Sequence, residues 1–497
     1  MSQESIRRNA AFALAIRVSG AVLTGGLTLF LVRYLGPDDY GVFALTLSVG
    51  GLLLLPSDFG ISQSTARFVA EHRDDEGAVG DLLGNALSLK ALGAGLVSAA
   101  LVAAAGPIAD AYGIEELEAP LRLMAIALLG QSFITLFAAI FEALGRNSIR
   151  FRMTLSETLL EVGATLALVL AGTGVAGAAL GRAIGYSLGA LLGIALLARL
   201  IDRTRVRSGL RRWRHSRRIV GYAGALFVVD ASWALFSHLD TLMIGGFLGA
   251  REAGLFSAPA YLLVPASFAG LSLAGGVAPR LARRGPETPD RKPLQQALRY
   301  LIVFQLLLVP PFLVWADPIA TLLLGADYEE SAAVFRGLAP YVILTGLGPL
   351  LSISVNYLGE ARRRMPLAIA AVAINALIDV ILIPEIGIVA GAIGTDVAAL
   401  VYVGGHLRIC HSIVPLDLRA LAATFLRALL AAAAMAATLL AFGTSQLGPA
   451  EWIGGALAGA LAYGATILLT REFSPEELAS ARSAVSRLTR RLRRAAG

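Results

Sequence analysis

Charge interrupts this sequence so rarely that fourteen apolar runs can be drawn along it: 10–34, 41–63, 80–105, 119–141, 153–172, 174–199, 219–247, 254–278, 298–324, 331–357, 366–384, 386–406, 418–442 and 450–470. Each approaches or exceeds the ~20 residues a helix needs to cross a bilayer. The runs are too long for strands and lack the alternation of a membrane barrel. A soluble domain carries about 25% charged residues, whereas here 15% are charged, 56% are hydrophobic and the mean hydropathy is +0.71. That leaves too little polar surface to cover soluble cores and too much apolar surface for disorder. The expectation is an all-α, polytopic membrane protein with about fourteen transmembrane helices. No small-residue cleavage site follows the basic segment at the start, so 10–34 is expected to be a retained span.

The basic residues test this arrangement. With the N-terminus inside, 34 of the 42 Lys and Arg residues fall in segments assigned to the cytoplasm, and only Arg33, Arg122, Arg251 and Arg336 fall outside. Such sorting places both termini in the cytoplasm of a plasma-membrane protein. The net charge of +7 is therefore topological and does not indicate nucleic-acid binding.

A repeat divides the chain. The first outer turn, Leu35-Gly36 to Gly41-Val-Phe43, returns 213 residues later as Leu248-Gly249 to Gly254-Leu-Phe256. The same offset takes Gly174 to Gly387 and Gly181 to Gly394, and one residue more takes Leu144-Gly145 to Leu358-Gly359. Ordered matches at one spacing indicate duplicated units. Six spans per unit give both copies the same orientation, related by an axis along the membrane normal. The expected organisation is an N-terminal lobe at 1–200, a basic cytoplasmic linker at 201–218 and a second six-helix lobe at 219–410. Two added spans at 411–470 and a basic tail at 471–497 complete it.

The segments Arg33-Tyr-Leu-Gly-Pro-Asp-Asp-Tyr-Gly-Val-Phe, Asp58-Phe-Gly-Ile-Ser and Ala66-Arg-Phe-Val-Ala-Glu71 resemble the polysaccharide transporter, or O-antigen flippase, family. Asp240 to Gly249, with Gly254-Leu-Phe-Ser after it, and Gly174 to Gly181 resemble the family's matching segments. That family belongs to the multidrug/oligosaccharidyl-lipid/polysaccharide exporter superfamily. The resemblance implies two lobes around a central cavity, alternating access, and a lipid-linked oligosaccharide moved from the inner to the outer leaflet for cell-surface polysaccharide biosynthesis. It implies a transporter and not an enzyme. A polyprenyl pyrophosphate crossing hydrocarbon would need a wet, cationic cavity.

Ionisable residues inside spans are costly, roughly 2.5–3.5 kcal/mol each on the mildest scale, and so mark function by default. Arg17, Lys90 and Arg182 are the candidate pyrophosphate ligands; Arg427 lies in the thirteenth run. Pairing with a nearby acid is the structural alternative for each. Glu157 and Glu161, one helical turn apart, suit either proton coupling or an ion pair with Arg17 or Lys90, or an inner-end face that meets Arg150 and Arg152. Asp230 and His238 share a helix face, with Asp240 displaced from it, and are candidates for a proton or Na+ site. Asn375 and Asp379 form a further i, i+4 pair that suits polar contact between helices. With Cys410 the sole cysteine and five scattered histidines, no metal site or other cofactor is expected. The tail has an N-cap at Ser474, Pro475 after it, an apolar stripe from Leu478 to Leu492 and many arginines. It suits an interfacial helix on the anionic inner leaflet. Polysaccharide assembly enzymes are the expected protein partners. The competing readings are a cation- or proton-coupled multidrug antiporter, a peptidoglycan-precursor (lipid II) flippase, and, from another class, a membrane polymerase or glycosyltransferase.

Overall fold

A computed structural model describes residues 6–201, 203–212, 216–282, 290–445, 447–477 and 479, and among these there is no strand. The helices in chain order are α1 (Ile6–Asp58), α2 (Ile61–Glu71), α3 (Glu76–Tyr112), α4 (Glu118–Ala143), α5 (Asn147–Leu168), α6 (Gly174–Leu197), α7 (Arg203–Arg212), α8 (Ser216–Leu248) and α9 (Ala250–Leu263). They continue as α10 (Phe268–Val277), α11 (Lys292–Val314), α12 (Ala316–Ile319), α13 (Ser331–Gly337), α14 (Ala339–Tyr357), α15 (Ala361–Ile386), α16 (Val389–Ile413), α17 (Leu418–Ala441) and α18 (Pro449–Leu469). Eleven helical segments among the described residues are long and apolar enough to cross a membrane. Two of them, Ala11–Asp58 and Asn147–Leu197, each take in most of two expected runs, and the run 41–63 is cut at Phe59 and Gly60 between α1 and α2. The paired runs are joined through glycines in non-helical conformation, Gly36 (φ 73°) and Gly172 (φ 84°). The expected run 331–357 is broken at Leu338, between α13 and α14. The run 298–324 ends its α-helix at Val314 and continues through α12 and a wider turn at Ala320–Leu324.

The duplication is written into the backbone. Gly36 and Gly249, 213 residues apart, both combine a positive φ with an extended ψ (73°, 174° and 111°, −178°). Gly174 (φ 56°) and Gly387 (φ 70°) also break helices at equivalent points. At the third pair, Gly145 and Gly359, the helix ends are capped alike. Arg146 N donates to Phe141 O at 2.8 Å, and its counterpart Glu360 N donates to Val355 O at 3.1 Å. Glycine is needed at these positions because a Cβ opposes left-handed φ.

The chain folds into two compact units. Their boundaries cut across the division expected at the basic linker: one unit holds the described parts of Met1–Pro265, Ala320–Gly337 and Arg362–Tyr402, the other those of Ala266–Ile319, Leu338–Ala361 and Val403–Gly497. The reason lies in the first unit, where α8 and α9 pack with helices of the first half and the 362–402 segment joins them through Asp240 of α8 and Phe256 of α9. In that unit α6 carries Gly177, Gly181, Gly185, Gly189 and Gly193, one every fourth residue. A Cβ on Gly181, Gly185 or Gly189 would strike Thr165, Glu161 or Glu157 of α5. A small-residue stripe of this kind lets two helices approach closely where lipid offers no hydrophobic drive. It sets the polar groups of α5 beside α6. The apolar core of the same unit is centred on Leu82, Leu83, Phe137, Ile140, Phe141 and Met153, all nearly or fully buried.

The two copies of the outer turn meet in this unit. A Cβ on Gly41 would strike the Ala250 carbonyl, and one on Gly254 the Pro37 carbonyl. Arg251 Nη1 donates to Asp38 Oδ2 at 3.1 Å, across the same offset of 213 residues.

In the second unit α11 packs on α14 and α17, and α17 on α18. Its polar ties are Gln305 Nε2 to Ala266 O (2.9 Å), Trp315 Nε1 to Gly443 O (3.0 Å) and Tyr463 OH to Val303 O (2.6 Å).

Candidate functional site

A cavity of about 360 Å³ opens within the first unit, between α1, α4, α5, α6, α8 and α9. Its polar lining comes from Thr24, Thr28, Gln131, Glu161, Thr165, Arg182, His238 and Tyr261, and its apolar lining includes Leu27, Phe43 and Met124. Volumes of ~300–1,000 Å³ with a few placed polar groups are typical of small-ligand sites. The glycine stripe of α6 sets the central pair: Arg182 Nη1 donates to Glu161 Oε1 at 2.7 Å. The guanidinium also lies 4.8 Å from the centre of the Tyr186 ring, a cation–π contact. Glu157, one turn from Glu161, is buried and accepts from Thr158 Oγ1 at 3.4 Å. His238 approaches Gly51 so closely that a Cβ there would strike the imidazole.

The other expected cations lie elsewhere. Lys90 is fully buried; its ammonium donates to Asp58 Oδ1 and, at 3.1 Å, to Ser62 Oγ. Ser62 donates in turn to the same carboxylate oxygen. Neither Lys90 nor Asp58 lines the cavity. Arg17 is exposed on α1. It stands seven residues before Thr24, almost two whole turns, and so shares the cavity-lining stripe of α1 about 10 Å nearer the N-terminus. Arg427 pairs with Glu472 at 2.9 Å, and Glu142 with Arg150 at 2.5 Å. The Asp230 side chain lies outside the described residues, as does most of the tail beyond Glu477. The start of that tail forms a capping box: Glu477 N donates to Ser474 Oγ at 3.2 Å and Ser474 N to Glu477 Oε2 at 2.8 Å.

A second polar cluster lies in the same unit. Asn375 Nδ2 donates to Asp240 Oδ1 and, at 3.1 Å, to Asp379 Oδ2; Thr395 Oγ1 donates to Asp240 Oδ2. All four side chains are buried, Asp379 and Asn375 completely. Asp379 Oδ1 and Asn375 Oδ1 have no hydrogen-bond partner. Two carboxylates side by side in an apolar bundle cannot both remain charged without a counter-ion. An oxygen-rich set of this kind suits a shared proton or a small hard cation. Among the described residues no group of three or more His, Cys, Asp and Glu side chains could hold a metal ion.

The two clusters occupy equivalent places in the repeat. The offset of 213 takes Leu27 to Asp240 and Arg182 to Thr395; 214 takes Glu161 to Asn375 and Thr165 to Asp379. Gly181 abuts Thr165 just as its counterpart Gly394 abuts Asp379. Sequence reading singled out the charged members of both clusters but missed Asp58, Thr165 and Thr395. The offset of 213 one residue past Gly181 and Gly394 leads to Thr395, and the offset of 214 from Asp379 leads to Thr165. Nothing local marks Asp58 as the partner of Lys90.

The sequence model of a polysaccharide biosynthesis protein family matches residues 6–283. A probable low-salt glycan biosynthesis flippase, Agl15 of Haloferax volcanii, is 22% identical over 393 residues, which cover 78% of this chain and 80% of that protein. The structure of lipid II flippase MurJ in an inward closed conformation aligns with a TM-score of 0.74 at 16% identity, over 93% of this chain and 99% of that one. An inward-facing multidrug resistance MATE family transporter of the MOP superfamily aligns at 0.63 with 16% identity, over 77% and 93%. These structural likenesses establish a polytopic transporter fold.

Proposed function

The chain belongs to the polysaccharide biosynthesis protein family, and from that premise we propose that it is a flippase that carries a lipid-linked glycan from the inner to the outer leaflet. The observation that carries this reading is a cavity of about 360 Å³ in which Gln131, Glu161, Arg182 and His238 stand among mostly apolar side chains. The glycan flippase relative supports the cargo class. Sorted arginines support a cell-membrane protein with both termini inside. Arg17 is the cation placed to meet the pyrophosphate: it is exposed and lies on the stripe of α1 that continues into the cavity wall. Arg182 is already answered by Glu161 and serves to hold the wall. Buried as it is against Asp58, Lys90 acts as a structural cation.

Coupling is assigned to Asp240, Asp379, Asn375 and Thr395, where a proton or Na+ would neutralise the paired carboxylates. Binding there would favour one packing of α8 against α15 and α16, and release would favour another. Any such shift is limited by the ion's differential affinity for the two states.

The reading is tested in proteoliposomes with a fluorescent short-chain prenyl-pyrophosphoryl glycan, by following loss of protection from an external quencher. Transfer that depends on the protein and falls at least tenfold in Arg17→Ala supports it. No transfer, together with export of a cationic dye against a Na+ or proton gradient, would move the assignment to a drug antiporter.

A further inference from the structure

Within the flippase reading, we infer that the cavity of the first unit receives the sugar of the cargo and not its pyrophosphate. The carboxylate and guanidinium in its lining, Glu161 and Arg182, are paired at 2.7 Å, and Glu157 one turn away adds a second acid. A pyrophosphate entering there would meet no uncompensated cation from these groups. Apart from His238, the rest of the polar lining is uncharged and can both donate and accept, as do Thr24, Thr28, Gln131, Thr165 and the Tyr261 hydroxyl. Sugar hydroxyls ask for this kind of wall. The rings of Tyr40, Phe43 and Tyr261 add flat apolar surface beside those groups, which suits the C–H faces of a pyranose.

A second observation points the same way. Thr165 Oγ1, Arg182 Nε and His238 Nδ1 are buried polar atoms without a hydrogen-bond partner, and all three residues line the cavity. Buried orphans are rare in folded proteins and call for an explanation. A ligand with several hydroxyls answers three at once. In the second half the equivalent groups gather instead around a further acid, with Asn375 and Thr395 both donating to Asp240. In the first half Leu27 stands in place of that acid and borders open space. Arg17, about 10 Å away along α1, then meets the pyrophosphate attached to the sugar.

The test measures binding to the full chain in nanodiscs, using farnesyl pyrophosphate alone and farnesyl pyrophosphate bearing one glucose, galactose or N-acetylglucosamine. The quantity read is the ratio of the two affinities. At least one sugar is expected to tighten wild-type binding by tenfold or more. Thr165→Val should lower that ratio about fivefold, the effect of one lost hydrogen bond, with Thr165→Ser restoring it. Gly51→Ala, whose new methyl displaces His238, should lower it as well. The inference is overturned if no sugar tightens binding, or if the ratio survives Thr165→Val, Gln131→Leu and Gly51→Ala. Failure of wild-type protein to bind even farnesyl pyrophosphate would instead sink the flippase reading, and the sugar site with it.

Discussion

Replacing Lys90 with methionine separates a structural cation from a ligand. The ammonium is 0% exposed and bonds Asp58 and Ser62, while Asp58 keeps 18% of its side-chain surface open. Removing one partner of a buried pair costs about 3–5 kcal/mol, because the other charge is left unanswered. The partial exposure of Asp58 and its bond from Ser62 set the expectation at the lower end, about 3 kcal/mol. Asp58→Asn removes the orphaned charge, so the double variant should regain most of the loss, ending within about 1 kcal/mol of wild type. Denaturant unfolding in detergent micelles, followed by fluorescence of the four tryptophans, provides the cycle. Flipping in the double variant should stay within threefold of wild type once folded protein is equalised. If Lys90→Met is as stable as wild type but loses flipping, the lysine contacts cargo and the reasoning is refuted.

Further outcomes follow from the other clusters. Asp379→Asn should abolish the dependence of flipping on Na+ or on pH, whichever wild type displays; a variant that keeps the wild-type dependence would remove the coupling assignment. Gly254→Val should destabilise by about 1–3 kcal/mol, since its side chain would meet the Pro37 carbonyl across the paired outer turns, and wild-type unfolding would contradict that packing. Glu472 lies beyond the last span. Burial alone would raise its carboxyl, but hydrogen bonds from Thr424, Arg427 and Arg299 hold it below its ordinary 4.5. Its contribution is therefore full above pH 4.5 and lost as pH falls through the lower folded value. Tail cleavage by an acid-tolerant protease should accelerate only below that pH in wild type, and already at neutral pH in Glu472→Ala. Equal rates in both proteins would show that the tail is not held by this residue.

Much of the architecture could be read from residues that local physics constrains strongly. Gly36 and Gly249 announced broken helices and a duplication, and the structure gives both the same unusual backbone. Glu161 and Asp379 stood out because charge is scarce in apolar runs. What could not be read was partnership. Lys90 and Asp58 are 32 residues apart on different helices, so periodicity shows that each is buried without showing that they meet. Glu161 pairs with Arg182 and not with Arg17, Lys90, Arg150 or Arg152, the partners that sequence position suggested for it. Neutral lining groups such as Gln131 and Thr165 escape notice for another reason: hydropathy barely registers them, although a sugar site depends on them. The unit boundaries were equally hidden, because they follow packing of α8, α9 and the 362–402 segment and not chain order.

The central claim is that this chain moves a lipid-linked glycan across a bilayer. Its most direct measurement is transbilayer transfer of a labelled prenyl-pyrophosphoryl glycan in proteoliposomes that contain only this protein. Transfer is expected well above that of protein-free vesicles, lowered at least tenfold by Arg17→Ala and nearly unaffected by Lys90→Met with Asp58→Asn. Transfer equal to that of empty vesicles, from protein shown to be folded and given either a Na+ or a proton gradient, would contradict that claim.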